Sequence, residues 1–159
     1  MSAHVIITGA GLCGTLLALR LANRGHRVTL LEKRGDLRRE EVAAGRSINL
    51  ALSDRGLAAL EMVGLKEKAL AISIPMYGRM IHPLHGETTM LQPYSGRSHE
   101  FIQSISRPGL NALLLDEASL HPAIEIRFHQ HVQHADVTMA RIKGTNLELG
   151  HSFDLQGDI

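Results

Sequence analysis

Three glycines and one acid are the residues whose types and spacing most directly suggest chemistry. Gly9-Ala10-Gly11-Leu12-Cys13-Gly14 has the pattern G-x-G-x-x-G, and Glu32 closes the next apolar run. In such a loop the first glycine permits a tight turn. The second lets a pyrophosphate approach the backbone, and the third lets a following helix pack close to the preceding strand. The helix start then offers unpaired N–H groups and a positive dipole end to phosphates. Glu32 is placed to accept hydrogen bonds from a ribose diol, and its charge disfavours a 2′-phosphate there. The pattern does not distinguish FAD from NAD. Lys33 and Arg34 fit either a phosphate contact or a solvated surface.

The elements needed to position these residues are predicted in the right order. Residues 5–8 (Val-Ile-Ile-Thr) form a short β-branched run that reads as a buried parallel strand. Residues 12–23 place Leu12, Leu16, Leu19 and Ala22 at helical spacing, and Gly25 stops that helix. Residues 28–31 make a second buried strand that ends at Glu32. Together these form a βαβ unit, the context that gives a glycine loop its meaning.

Beyond it, residues 36–41 are charged and read as a loop or a short helix. Ser53 or Asp54 caps a helix through Leu57, Leu60 and Val63 with Gly64 at its end, and a short helix follows over Lys66–Ala71. Residues 74–82, 87–94 and 100–106 read as three strands joined by glycine-containing turns. Ser106 is the expected cap of a further helix, with Pro108 in its first turn and an apolar face of Leu110, Leu113, Leu114 and Leu120. Residues 124–132 are strand-like. Residues 137–142 and 146–149 read as a hairpin around Lys143-Gly144-Thr145, and residues 153–159 as the entry to another strand. The predicted fold class is α/β: a Rossmann-like βαβ unit with an inserted antiparallel β-sheet. The expected division is 1–73 as the first part of the cofactor unit, 74–106 as a β-rich substrate insertion, and 107–159 as the return to the cofactor unit.

Composition narrows the function classes. The 159 residues suit one compact domain, and 44% hydrophobic with 21% charged residues is ordinary for a globular chain. With 17 basic and 16 acidic residues, a net charge of +1 suggests neither a nucleic-acid footprint nor a polybasic membrane patch. Aromatics make up 3% and Trp is absent, so aliphatic residues must fill the core. One cysteine, Cys13, rules out an internal disulfide framework. No apolar run approaches the roughly 20 residues of a membrane span, and no signal peptide is evident. A cytoplasmic location is the expectation.

The second informative segment is Gly45-Arg46-Ser47-Ile48-Asn49-Leu50-Ala51-Leu52-Ser53-Asp54-Arg55-Gly56, which fits neither a clean helix nor a clean strand. It closely resembles the corresponding stretch of the kynurenine 3-monooxygenases, flavoprotein aromatic hydroxylases related to p-hydroxybenzoate hydroxylase. The resemblance continues through Ile74-Pro75-Met76-Tyr77-Gly78-Arg79-Met80-Ile81-His82, Pro93-Tyr94, Ser104-Ile105-Ser106-Arg107 and Leu110-Asn111, and covers roughly residues 5 to 132.

The resemblance implies FAD as cofactor, lined by Cys13, Leu31, Glu32, Lys33, Arg34, Ala51, Arg107 and Val132 beside the glycine loop. It implies Arg79 and Tyr94 as the pair that binds the substrate's amino-acid carboxylate. A guanidinium suits phosphate or carboxylate oxygens, and a phenol adds a donor. The implied reaction is hydroxylation of L-kynurenine to 3-hydroxykynurenine with NADPH and O2. The oxygen chemistry belongs to the cofactor, so no catalytic nucleophile or acid–base pair is expected here.

Family members are much longer and carry a later Gly-Asp type motif. This chain is therefore expected to be an N-terminal portion with little or no hydroxylase activity alone, and self-association through an unfinished sheet edge is plausible. The alternatives are another FAD-dependent aromatic hydroxylase and a non-catalytic NAD- or FAD-binding module.

Two further features invite chemistry and support little. On a strand His129 and His131 would share a side while His134 would not, and no Cys, Asp or Glu completes a metal set. Cys13 is expected to be a small packing residue at the helix start, and no partner suggests a nucleophile.

Overall fold

The computed structural model describes residues 2–39, 49–84, 88–97 and 100–159. Backbone contacts divide the chain into two compact units, Met1–Arg46 with Pro108–Ile159, and Ser47–Arg107. Of the sequence expectations, residues 45–48 of the second motif, residues 40–41 and residue 87 lie outside the described residues.

The first unit is built on a parallel sheet. Strand β1 (His4–Thr8) pairs with β2 (Arg27–Leu31) in the register Val5↔Val28 and Ile7↔Leu30. Helix α1 (Leu12–Ala22) connects them. Its Thr15, Ala18, Leu19 and Ala22 are buried, and most are small, so the helix lies close against the strands. Gly25 turns the chain back at φ +87°, a left-handed conformation that side chains rarely adopt. Helix α4 (Arg107–Leu120) then leads into the third parallel strand, β8 (Ile124–Arg127), on the far side of β2. Val28 and Leu30, central in this sheet, are fully buried, and Leu115 of α4 joins Val5, Ile7, Ala10, Ala18 and Ala22 around them.

The strand-like stretch 124–132 is broken into two. His129 adopts φ +59°, and the chain turns there from β8 into β9 (Gln130–Asp136). The expected hairpin around Gly144 does not form. Instead β10 (Arg141–Asn146) runs straight through it, flanked by β9 and by β11 (Ser152–Gln156) in an antiparallel sheet of order β11-β10-β9. The reason is steric: a Cβ on Gly144 would fall 2.2 Å from the His131 carbonyl oxygen and 2.5 Å from the Phe153 ring. This glycine admits a close neighbour in mid-strand, at a register shift, rather than making a turn. The turns are set by Asp136, which accepts from the N–H groups of Thr138 and Met139, and by Asn146, which accepts from those of Glu148 and Leu149. After β11 the chain reaches the free side of β1, where Asp158 N–H donates to His4 O and Ile6 N–H to Ile159 O.

The second unit contains β3 (Asn49–Leu52), α2 (Asp54–Glu61), α3 (Lys66–Ala71), β4 (Ser73–Met76), β5 (Gly78–Ile81), β6 (Met90–Pro93) and β7 (Ile102–Ser106). The motif that fitted neither regular element is both: a strand pairing antiparallel with β7, then a helix capped by Ser53, whose Oγ accepts from Gly56 N–H. The single strand expected over residues 74–82 is two. β4 joins β7 in the order β3-β7-β4, while β5 makes a separate hairpin with β6. Gly78 begins β5 because its α-carbon sits against the β6 backbone, where a Cβ would be 2.6 Å from Gln92 O.

Candidate functional site

The loop between β1 and α1 is shaped from both sides. Gly9 takes φ +96°, closed to most residues, and its N–H donates to Leu31 O at 2.7 Å, tying the loop to the end of β2. Gly14 is pressed against Gly9, whereas the space in front of Gly11 is open among the described residues: a Cβ there would meet none of their atoms within 4 Å. Gly11 precedes α1 without any side-chain cap, and no acidic residue lies in the first turn. The first amides of α1 therefore face an open space, with the dipole of an eleven-residue helix behind them. That is the shape and polarity a pyrophosphate needs, and a side chain at Gly11 would fill it.

Glu32 is buried, and its side chain does more than wait for a ribose. Oε2 accepts from the Ala10 N–H at 2.9 Å, while Oε1 accepts from both the backbone N–H and the Nε–H of Arg34, each at 3.0 Å. Burial pushes the carboxyl pKa up. The hydrogen bonds from Arg34 and Ala10 outweigh it, so the group lies below its ordinary range and is charged. The backbone of Glu32 is held as well, with its N–H donating to Arg127 O and its carbonyl accepting from Gln130 N–H. A carboxylate offers about four acceptor directions. Three are taken among the described residues, one on Oε2 and two on Oε1.

Around this pair the first unit gathers the other expected residues in different ways. Leu31 is 1% exposed and belongs to the core, so only its backbone serves the loop. Lys33 and Arg34 are exposed beyond Glu32. Val132 is half-buried on β9, two residues past the Gln130 that binds Glu32. Cys13 is exposed, contrary to the expected packing role. It precedes buried Thr15 by two residues, roughly 200° around the helix, and so faces outward.

Two buried side chains were given no role from sequence, although Asn111 lies in one of the shared motifs. Asn111 of α4 donates from Nδ2 to Ala10 O at 3.2 Å, and its Oδ1 has no protein partner among the described residues. Thr15 Oγ1 is similarly buried and unpaired. A polar residue on the inner face of an otherwise leucine-rich helix was the available signal. The predicted apolar face is corrected at its end as well: Leu120 is 79% exposed, because the helix finishes there.

In the second unit Ala51 pairs with Ser104, and Arg107 directly follows β7 at the start of α4. Both are exposed. On the β5–β6 hairpin Arg79 is opposite Gln92, and Tyr94 N–H donates to Tyr77 O, which continues the ladder. Arg79 and Tyr94 are therefore diagonal neighbours on one face of the hairpin. Arg79 Nε–H donates to Gln92 Oε1 at 2.7 Å, so a neighbouring amide already occupies part of the guanidinium.

Among the described residues no group of three His, Cys, Asp or Glu is arranged to hold a metal. His129 stands outside the strand, with Nε2 4.0 Å from the Glu148 carboxylate. A cavity of about 680 Å3 beside Asp36, Arg38, Phe128 and Glu148 contains none of the expected site residues. No helix among the described residues is long and apolar enough to cross a membrane.

The model of a family described as FAD binding domain matches residues 2–153. The kynurenine 3-monooxygenase of Myxococcus xanthus is 52% identical over 132 residues, which is 83% of this chain and 28% of that protein. That of Legionella pneumophila is 45% identical over 143 residues, 90% of this chain and 32% of that protein. That of Anopheles gambiae is 44% identical over 133 residues, 84% and 27% respectively. The chain thus spans about a third or less of the length of these relatives.

Among solved structures, p-nitrophenol 4-monooxygenase PnpA from Pseudomonas putida superposes with a TM-score of 0.73 at 18% identity, over 98% of this chain and 39% of that one. The flavin-dependent monooxygenase PieE, in complex with FAD and substrate, gives 0.73 at 16% identity, over 98% of this chain and 29% of that one. At such identities the likeness concerns the fold.

Proposed function

This chain belongs to the FAD-binding domain family, and on that premise we propose that it is the FAD-holding N-terminal part of a kynurenine 3-monooxygenase. The observation that carries the proposal is the joined pair of loop and acid: a helix start with no side-chain cap and open space at Gly11 among the described residues, tied to a charged Glu32. The relatives at 44–52% identity supply the substrate class.

In this reading the amides following Gly9 and Gly11 bind the pyrophosphate, with Gly14 keeping helix and strand close. Glu32 accepts from the adenosine ribose. Cys13, Leu31, Lys33, Arg34 and Val132 line that half of the cofactor, and the resemblance assigns Ala51 and Arg107 to FAD as well. Bound FAD, reduced by NADPH, would supply the oxygen chemistry that converts L-kynurenine to 3-hydroxykynurenine. Arg79 gives the substrate carboxylate a guanidinium and Tyr94 a hydroxyl, with Gln92 holding the Arg79 side chain in place. Residues 74–106 form the substrate side, and 1–73 with 107–159 the cofactor side. The whole protein performs the reaction, and this chain alone turns over little kynurenine. A cytoplasmic setting suits its exposed thiol. Copies of the chain associate through the edge strand β11, which size-exclusion chromatography tests: a clean monomer at high concentration counts against it.

The decisive experiment is an absorption titration of the purified chain with FAD, followed by desalting. Retained flavin bands that shift on adding L-kynurenine support both halves of the proposal. A chain that ignores FAD and binds NAD would refute it.

A further inference from the structure

We propose that Asn111 is a positioning residue for the phosphate-binding loop: its buried amide holds the carbonyl of Ala10 while Glu32 holds the N–H of the same residue. The role rests on the reading of this loop as the FAD pyrophosphate site. The clamp itself rests on the hydrogen bonds.

Ala10 lies between two glycines, so the chain there is intrinsically soft. Yet Ala10 is 2% exposed, and both of its backbone groups are fixed by residues far away in sequence, the N–H by Glu32 at 2.9 Å and the carbonyl by Asn111 at 3.2 Å. In a trans peptide the C=O and the following N–H point in opposite directions. Pinning the Ala10 carbonyl to α4 therefore turns the Gly11 N–H away from α4. The opposite amide orientation would set Oδ1 against a carbonyl oxygen, so Nδ2 is the group that faces the loop.

The energetics of Asn111 fit this role better than packing. The residue is 8% exposed on a helix face that otherwise buries Leu110, Leu114, Leu115 and Ala118. Its Oδ1 is buried with no partner among the described residues, which is costly. A leucine would fill this space without that penalty. What an apolar residue cannot supply is the bond to Ala10. The structure thus gives α4 a function at the loop as well as in the core.

Amide hydrogen exchange on the ligand-free chain tests the clamp. In the wild type the Ala10 amide should be protected about as well as those of Val28 and Leu30 in the central strand, and a freely exchanging Ala10 amide overturns the proposal. In Asn111→Leu, or in the smaller Asn111→Ser should leucine not be accommodated, exchange at Ala10 and Gly11 should quicken about tenfold while Val28 and Leu30 are unchanged. Unchanged exchange at the loop, or equal acceleration in the strand, overturns it. The FAD dissociation constant should rise about tenfold in the same variants with little change in melting temperature, and an affinity that does not move overturns the positioning role. Failure of the wild-type chain to take up FAD sinks the cofactor reading instead, and the exchange experiment still decides the clamp.

Discussion

A Cβ built on Gly14 falls 1.9 Å from the carbonyl oxygen of Gly9, backbone against backbone, with no flexible side chain to move aside. Gly14→Ala should therefore force α1 and β1 apart, costing about 2–4 kcal/mol in urea unfolding and abolishing FAD uptake. Gly11→Ala is the informative contrast. Gly11 has φ −79° and open space around it, so the folded chain should keep its stability to within about 1 kcal/mol. The new methyl would stand in the way of the phosphate in the proposed FAD site, and the FAD dissociation constant should rise at least about tenfold. Equal effects in both measurements for the two variants would contradict this division of labour.

The hydrogen bonds to Glu32 make a prediction about acid. Its pKa is raised by burial and lowered more strongly by Arg34 and Ala10, so the folded value lies below the unfolded one. The stabilisation is fully present above the unfolded value of about 4.3 and is lost as pH falls through the lower folded value. Asp36 and Glu125 are depressed too and contribute in the same direction. The test is therefore the difference between wild type and Glu32→Gln in melting temperature against pH. That difference should shrink as pH drops below about 4.3. Parallel profiles would show that the carboxylate carries no such load.

Arg38 makes a half-buried corner with Asp36 that sequence did not reveal. Its Nε and Nη2 donate to the two Asp36 oxygens at 2.8 and 2.6 Å, and Nη1 reaches Asp116 and Ser119, each at 3.0 Å. The Asp36 side chain is only 10% exposed, so Arg38→Met leaves a poorly solvated carboxylate and should cost about 1–3 kcal/mol. Arg39 is 3.9 Å from the same carboxylate with an 87% exposed side chain, and Arg39→Met should change stability by less than about 0.5 kcal/mol. Urea unfolding of the two variants side by side decides it.

Gly144 should tolerate no side chain. Gly144→Ala would set its methyl 2.2 Å from His131 O and within 2.8 Å of two Phe153 ring atoms. The expected cost is about 2–4 kcal/mol. Adding Phe153→Leu should restore little, because the backbone oxygen on β9 remains. Thermal unfolding of the single and double variants would expose a mistaken placement if the second change rescued the first.

The loop and its elements were legible because they obey local rules. The β1-α1-β2 unit was readable from apolar periodicity and glycine placement, as was a cap at Ser53 or Asp54 before α2, which the structure gives to Ser53. What misled the reading was also local. Gly144 has the composition of a turn and the position of a strand interior, and residues 74–82 and 124–132 look continuous until strand pairing divides them at Tyr77 and His129. Pairing is a property of the partner strand, which lies elsewhere in the chain.

By itself, then, the sequence determined the type of site: a glycine loop at a helix start, an acid after the next strand, and motifs shared with flavin hydroxylases. Those depend on residues close together in the chain, where backbone geometry and side-chain type suffice. Only the tertiary structure decided how the site is held. Glu32 grips the loop across 22 residues and Asn111 across 101. Arg34 occupies one oxygen of the acid that periodicity had left free for a ribose. No periodicity encodes such contacts, because they arise only once the core has brought distant elements together and buried polar groups have had to find partners.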